Sequence, residues 1–248
     1  MSKETKPQIY FFARKGWYEQ LGNICDAQIA KKGKDPVSVF WKAFSLGMEG
    51  SIQACTKLLE TFQARRDMQY PASLALIYFL KRAPSVDHDA ISTLQSELSI
   101  AEDVAVRSVT LLFFRVGLCS HFPSCLQKDA GFVLAARFSL YSGDYQTAIR
   151  LAQRLMPKSG NPSTPHEIDG VAVEQWANMA MMDASGDIDW KYIQNIDQVV
   201  RGLGEVADVD LLMLQAKSRY ILRKKKDTMN VFNKVRIITF NQSYLIYK

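Results

Sequence analysis

The sequence predicts an all-α chain, a right-handed α-solenoid of stacked antiparallel helix pairs running through residues 1–248. Three observations predict it. Apolar residues return every three or four positions along most of the chain, the period of a helix with one buried face. The apolar–polar alternation of strands is scarce. One arrangement of small residues about a glycine turn also occurs twice at the same offsets, Ala43–Gly50–Cys55 and Ala136–Gly143–Ala148.

The elements follow in order. Tyr10, Phe11, Ala13, Trp17, Tyr18, Leu21, Ile24, Cys25 and Ile29 carry a helical period that Gly16 interrupts. This predicts two short helices with a turn near Lys15–Gly16. Gly33 stops the second, and Pro36 suits the first turn of the next, where a missing N–H costs nothing. Val37 to Leu46 forms a helix, Gly50-Ser51 a turn, and Ile52, Cys55, Leu58, Leu59 and Phe62 its partner. Tyr70-Pro71 opens another pair, with Ala83-Pro84 between Leu74–Tyr78 and Ala90–Leu98.

The clearest copy is Phe132–Met156, with Gly143-Asp144-Tyr145 as its turn. Helices joined by so short a turn approach closely only where facing side chains are small. That assigns Ala43, Cys55, Ala136 and Ala148 to crossings, Gly50 and Gly143 to turns, and Tyr145 to covering the end of its pair. Such repeated pairs follow the tetratricopeptide-repeat pattern. Weaker copies centre on Ser185-Gly186-Asp187 and on the basic turn after Tyr220. Residues 98–130 depart from the pattern and read as an insertion. Residues 158–169, with Gly160, Pro162 and Pro165, read as a loop or hinge. No shift in composition marks a second domain.

Composition fits an ordinary folded protein, with 48% hydrophobic and 23% charged residues. The longest apolar stretches, Pro71–Leu80 and Val109–Phe122, fall short of the roughly 20 residues of a membrane span. The N-terminus is polar and does not read as a signal peptide. Four cysteines without a secretory signal suggest buried thiols in a reducing compartment. The net charge is +6, much of it local: Arg219, Arg223, Lys224, Lys225, Lys226, Lys234 and Arg236 face only Asp227 within that stretch. The bland reading is a solvated turn. The sharper one makes Arg223, Lys224, Lys225 and Lys226 a docking patch for an acidic partner.

Catalytic signals are weak. Cys119, His121 and Cys125 offer three metal ligands in seven residues, but without a fourth and with the wrong spacing for structural zinc. They read as a free-thiol loop. His88 lies between Asp87 and Asp89 and reads as the first turn of a helix, and His166 falls in the polar loop. Phosphate-loop, dinucleotide, zinc-protease and nucleophile-elbow motifs are absent from the sequence. The expectation is a non-enzyme without cofactor, metal or small-molecule substrate.

Aromatics crowd the first units: Phe11, Phe12, Trp17, Tyr18, Phe40, Trp41 and Phe44. Adjacent residues cannot share one helix face, so one of Phe40 and Trp41 is expected to look outward. Trp41 is the candidate anchor for a partner.

The quoted residues also carry a resemblance. Phe11–Gln20, then Gly33-Lys34-Asp35-Pro36, Met48-Glu49-Gly50, Ser73-Leu74-Ala75-Leu76-Ile77-Tyr78 and Asp89-Ala90-Ile91 resemble, in that order, the start of the tetratricopeptide repeat protein 21 family. The likeness covers about the first 95 residues, resumes more weakly from Phe132 to about Val200, and fades beyond. It implies a non-enzymatic scaffold subunit of intraflagellar transport complex A, located in cilia and acting in retrograde transport and cargo entry. Its implied partners are the other subunits of that complex. Family members are several times longer, so the chain is expected to be an N-terminal fragment or a shortened form. The apolar end, Ile237 to Tyr247, fits a continuing chain or a covering partner. The alternative from charge alone is an RNA-binding helical repeat using residues 219–236. Repeat RNA binders spread basic and polar readers over every unit, whereas here the charge sits in one, so nucleic acid is the disfavoured partner.

Overall fold

The computed structural model describes residues 5–33, 35–65, 67–99, 124–156, 162, 164–203, 209–222, 229–231 and 233. Among them the chain is helical, with no strand. The helices are α1 (Lys6–Lys15), α2 (Tyr18–Lys32), α3 (Pro36–Met48), α4 (Ile52–Glu60), α5 (Gln69–Leu80), α6 (88–99), α7 (Ser124–Ser142), α8 (Tyr145–Leu155), α9 (Pro165–Ser185), α10 (Trp190–Gly202) and α11 (Val209–Ile221). Consecutive helices pack: α2 on α3, α3 on α4, α4 on α5, α8 on α9 and α10 on α11. Helices two apart also touch, α3 with α5 and α9 with α11, so successive pairs stack as a helical repeat requires.

The described residues form two compact units. The first holds Lys15–Phe138, and the second holds Ser2–Arg14 with Ser139–Lys248. The N-terminal helix therefore belongs with the C-terminal unit, not with its neighbour in sequence.

Local chemistry sets the helix ends. Asp35 caps α3, its carboxylate accepting from the Ser38 amide at 3.1 Å, with Pro36 in the first turn. Asp144 caps α8 through the Thr147 amide at 3.2 Å. Thr164 and Glu167 form a reciprocal capping box on α9. Residues 165–169, expected in a loop, are the first turns of that helix, and His166 lies in them. Asp87 accepts from the Ala90 amide at 3.0 Å, which places His88 at the first turn of α6. Gly50 and Gly143 take φ of +91° and +87°, left-handed values that strain a residue with a Cβ.

The first unit is held by aromatic side chains. Phe138 of α7 packs against Phe40 and Phe44 of α3 and Tyr78 and Phe79 of α5, with ring centroids 5.5–6.2 Å apart. Trp41 corrects the expectation from adjacency. Phe40 and Trp41 are both 0% exposed. With α2, α4 and α5 all packed on α3, its partly exposed positions such as Val39, Lys42 and Leu46 do not include either ring, and the two rings meet edge-on at 5.7 Å. Burial also pushes the Cys25 and Cys55 thiols up to about 12, which keeps them protonated and unreactive near neutral pH.

The small residues expected at crossings are buried. Ala43, Cys55, Ala136 and Ala148 are 0% exposed. The closest approach falls at Gly47, where an added Cβ would lie 2.4 Å from the Phe79 ring. In the second unit Gly170 has the same role, its would-be Cβ lying 3.0 Å from the Leu155 Cβ and 3.1 Å from the Ala152 carbonyl. Gly47→Ala should therefore cost roughly 1–3 kcal/mol through overpacking. Gly202→Ala, at a site with nothing within 4 Å, should stay within about 0.5 kcal/mol. Urea denaturation of the two variants checks the difference.

Candidate functional site

The second unit collects its chemistry around three buried carboxylates. Asp169 on α9, Asp197 on α10 and Asp210 on α11 are 2%, 8% and 5% exposed. A buried carboxylate is tolerated only with a cation or several donors beside it. Asp197 accepts from Gln215 at 2.9 Å and from Arg219 at 2.8 Å, both on α11, and pairs with Arg201 one helical turn along at 2.7 Å. The other two carboxylates reach α1. Lys6 donates to Asp169 at 2.6 Å, and Arg14 pairs with Asp210.

An aromatic plate completes the α1 contact. The Arg14 guanidinium stacks over the Trp176 ring at 4.2 Å, and Trp176 Nε1 donates to the Asp210 carbonyl at 3.2 Å. Lys217 sits over the same ring at 5.8 Å. Between the charged ends of α1, Ile9, Tyr10 and Ala13 are buried, and Tyr10 meets Tyr141 at 6.1 Å.

In the same unit, α9, α10 and the end of α8 line an open groove of about 470 Å³. Its floor mixes apolar Met156, Val171 and Val199 with the carboxamides of Gln175, Asn195 and Gln198. Tyr192 fixes one of these by donating to Gln175 Oε1 at 2.7 Å. Carboxamides both donate and accept, which suits hydrogen bonding to a peptide main chain. Trp190 and Tyr220 are 53% and 68% exposed.

The expected basic patch is altered at its described end. Arg219 is not a solvated charge. Its guanidinium is held against Asp197, with both side chains nearly buried. Arg223, Lys224, Lys225 and Lys226 lie outside the described residues, as do Cys119, His121 and the apolar tail from Ile237. No cluster of three or more metal-ligating side chains exists among the described residues. No described helix is long and apolar enough to cross a membrane. Tyr145 begins α8 and is half-buried beside the Gly143 turn.

Known proteins match the N-terminal part of the chain. Residues 9–122, just under half of the chain, match the family model described as Tetratricopeptide repeat protein 21 N-terminal ARM repeat. This part of the chain is similar to the N-terminal repeats of the tetratricopeptide repeat protein 21 family. Tetratricopeptide repeat protein 21B of Homo sapiens is 30% identical over 101 residues, 41% of this chain and 8% of the relative. The Xenopus laevis 21B protein is 27% identical over 90 residues, 36% of this chain and 7% of the relative. Human 21A is 28% identical over 106 residues, 43% of this chain and 8% of the relative. The match thus spans less than a tenth of the length of these relatives. The family match crosses most of residues 98–130, up to residue 122. The likeness and the consecutive helix packing together suggest a helical repeat scaffold.

Asp210 and Arg201 separate buried from surface electrostatics. Asp210→Ala leaves Arg14 without its carboxylate in a mostly buried place, and should cost about 3–5 kcal/mol. Arg201→Ala, 66% exposed, should cost no more than about 1 kcal/mol. Chemical denaturation followed by circular dichroism measures both.

Proposed function

We propose that the chain is a non-enzymatic protein–protein interaction scaffold acting within intraflagellar transport complex A, in retrograde ciliary transport and the entry of cargo into cilia. The observation that carries this reading is the family match over residues 9–122, on a chain built of stacked helix pairs. The consecutive packing supports a scaffold, because each pair touches its neighbours and leaves long faces to partners. The mixed groove on α9 and α10 and the exposed Trp190 and Tyr220 are surfaces of the kind that partners use. On this reading the chain works in the cytoplasm and the cilium, its partners are other subunits of the complex, and it needs no cofactor.

The RNA-binding alternative loses ground with Arg219, whose charge is taken up by Asp197 rather than offered to phosphate. Affinity purification of the tagged full-length protein from its own cells, followed by mass spectrometry, tests the proposal. Complex A subunits are expected to dominate. Their absence, together with tight, salt-dependent binding of generic RNA by the purified chain, would reverse the two readings.

A further inference from the structure

The α1 contact is a helix seated in a receptor surface. Lys6, Ile9, Tyr10, Ala13 and Arg14 stand at intervals of three and four, so they form one stripe of the helix. The stripe has a cation at each end and apolar residues between. The second unit offers the complement: Asp169 for one cation, Asp210 and the Trp176 ring for the other, and Tyr141 against the middle. Both carboxylates are almost fully buried, so this surface is adapted to a basic amphipathic helix.

Two further features concern the attachment of α1. It is grouped with residues 139–248, while the chain that follows it from Lys15 is grouped with the other unit. Only Gly16 and Trp17 join α1 to α2. Gly16 has φ of +71° and lacks a Cβ, so it can leave that conformation without steric penalty. A terminal element on a short joint, held by contacts that do not depend on which copy supplies it, is the arrangement in which copies exchange elements.

We propose that the surface on α9 and α11 is a helix-docking site that accepts α1 from a second copy of this chain, giving a reciprocal dimer in which each copy's helix fills the other's site. The ion pairs and ring contacts of α1 with the second unit named above are retained in the exchanged form, while the joint at Gly16–Trp17 opens. The tethered helix wins at low concentration because its effective concentration is high, and exchange gains as the chain is concentrated.

Reversed charges test this in the full chain. One copy carries Lys6→Asp with Arg14→Asp, and the other carries Asp169→Lys with Asp210→Arg. Each alone mismatches its own helix and site. Mixed, each finds its complement only in the other. Sedimentation velocity is expected to show each copy monomeric and the equimolar mixture at twice the mass. The chain carrying all four substitutions restores the internal match and serves as the folding control. A mixture that stays monomeric while that control folds overturns the proposal. If the control does not fold, the unaltered chain decides. Concentrated, warmed below its melting temperature and cooled, it is expected to yield a dimer fraction that falls when a Gly-Ser spacer is inserted between Gly16 and Trp17. A chain that remains monomeric, or a dimer indifferent to that slack, overturns the proposal.

Discussion

The second unit depends on neutralising carboxylates that its own helices bury. Asp169 and Asp210 sit in the packed interior of α9 and α11, where an ionised carboxylate without a cation is expensive. Lys6 and Arg14 supply that cation from the other end of the sequence. The apolar residues between them could pack on many surfaces. The paired charges restrict the helix to one position, because sliding α1 would carry both cations away from their carboxylates. Trp176 links the two kinds of force. Its ring takes the Arg14 guanidinium on one face, and its N–H holds the α11 backbone at Asp210.

The first unit packs around aromatic rings, with the Arg137 side chain buried among its core residues. Phe138 reaches two helices at once, α3 and α5, and the rings around it meet mostly edge-on, a favourable arrangement for aromatic pairs. The Phe79 ring fits against α3 because Gly47 carries no side chain, and a Cβ added there would lie 2.4 Å from it. The two units thus share a construction of helix pairs and differ in what locks it.

Much of this construction is legible in the sequence, because it is local. The period of the apolar residues marks the helices, and Gly16, Gly50, Gly143 and Gly186 mark turns. What escapes is non-local. Trp41 reads as an outward anchor because amphipathic reasoning allows only one covered face, and α3 is packed by α2, α4 and α5. Gly47 reads as an unremarkable helical residue, since the need for it comes from Phe79, more than thirty residues on. Arg219 reads as part of a solvated charge run because Asp197 lies a helix away. The partnership of α1 with α9 and α11 leaves no trace in spacing. A run of basic residues in a first helix and isolated aspartates in later apolar helices are the signal, and they signify only once the fold brings them together. The family resemblance reaches the repeat class and the N-terminal half, and residues 139–248 must be read from their own contacts.

The claim that buried charge ties α1 into the second unit is tested most directly by native-state hydrogen exchange on the full chain and on a Lys6→Ala, Arg14→Ala variant. If the account is right, the variant loses amide protection in α1 and in α9 and α11 around Asp169, Trp176 and Asp210, because the loss of these two cations weakens the contacts that hold them together and favours local opening. Unchanged protection in α9 and α11 would contradict it, since α1 would then be a passenger on a unit that is stable without its charges.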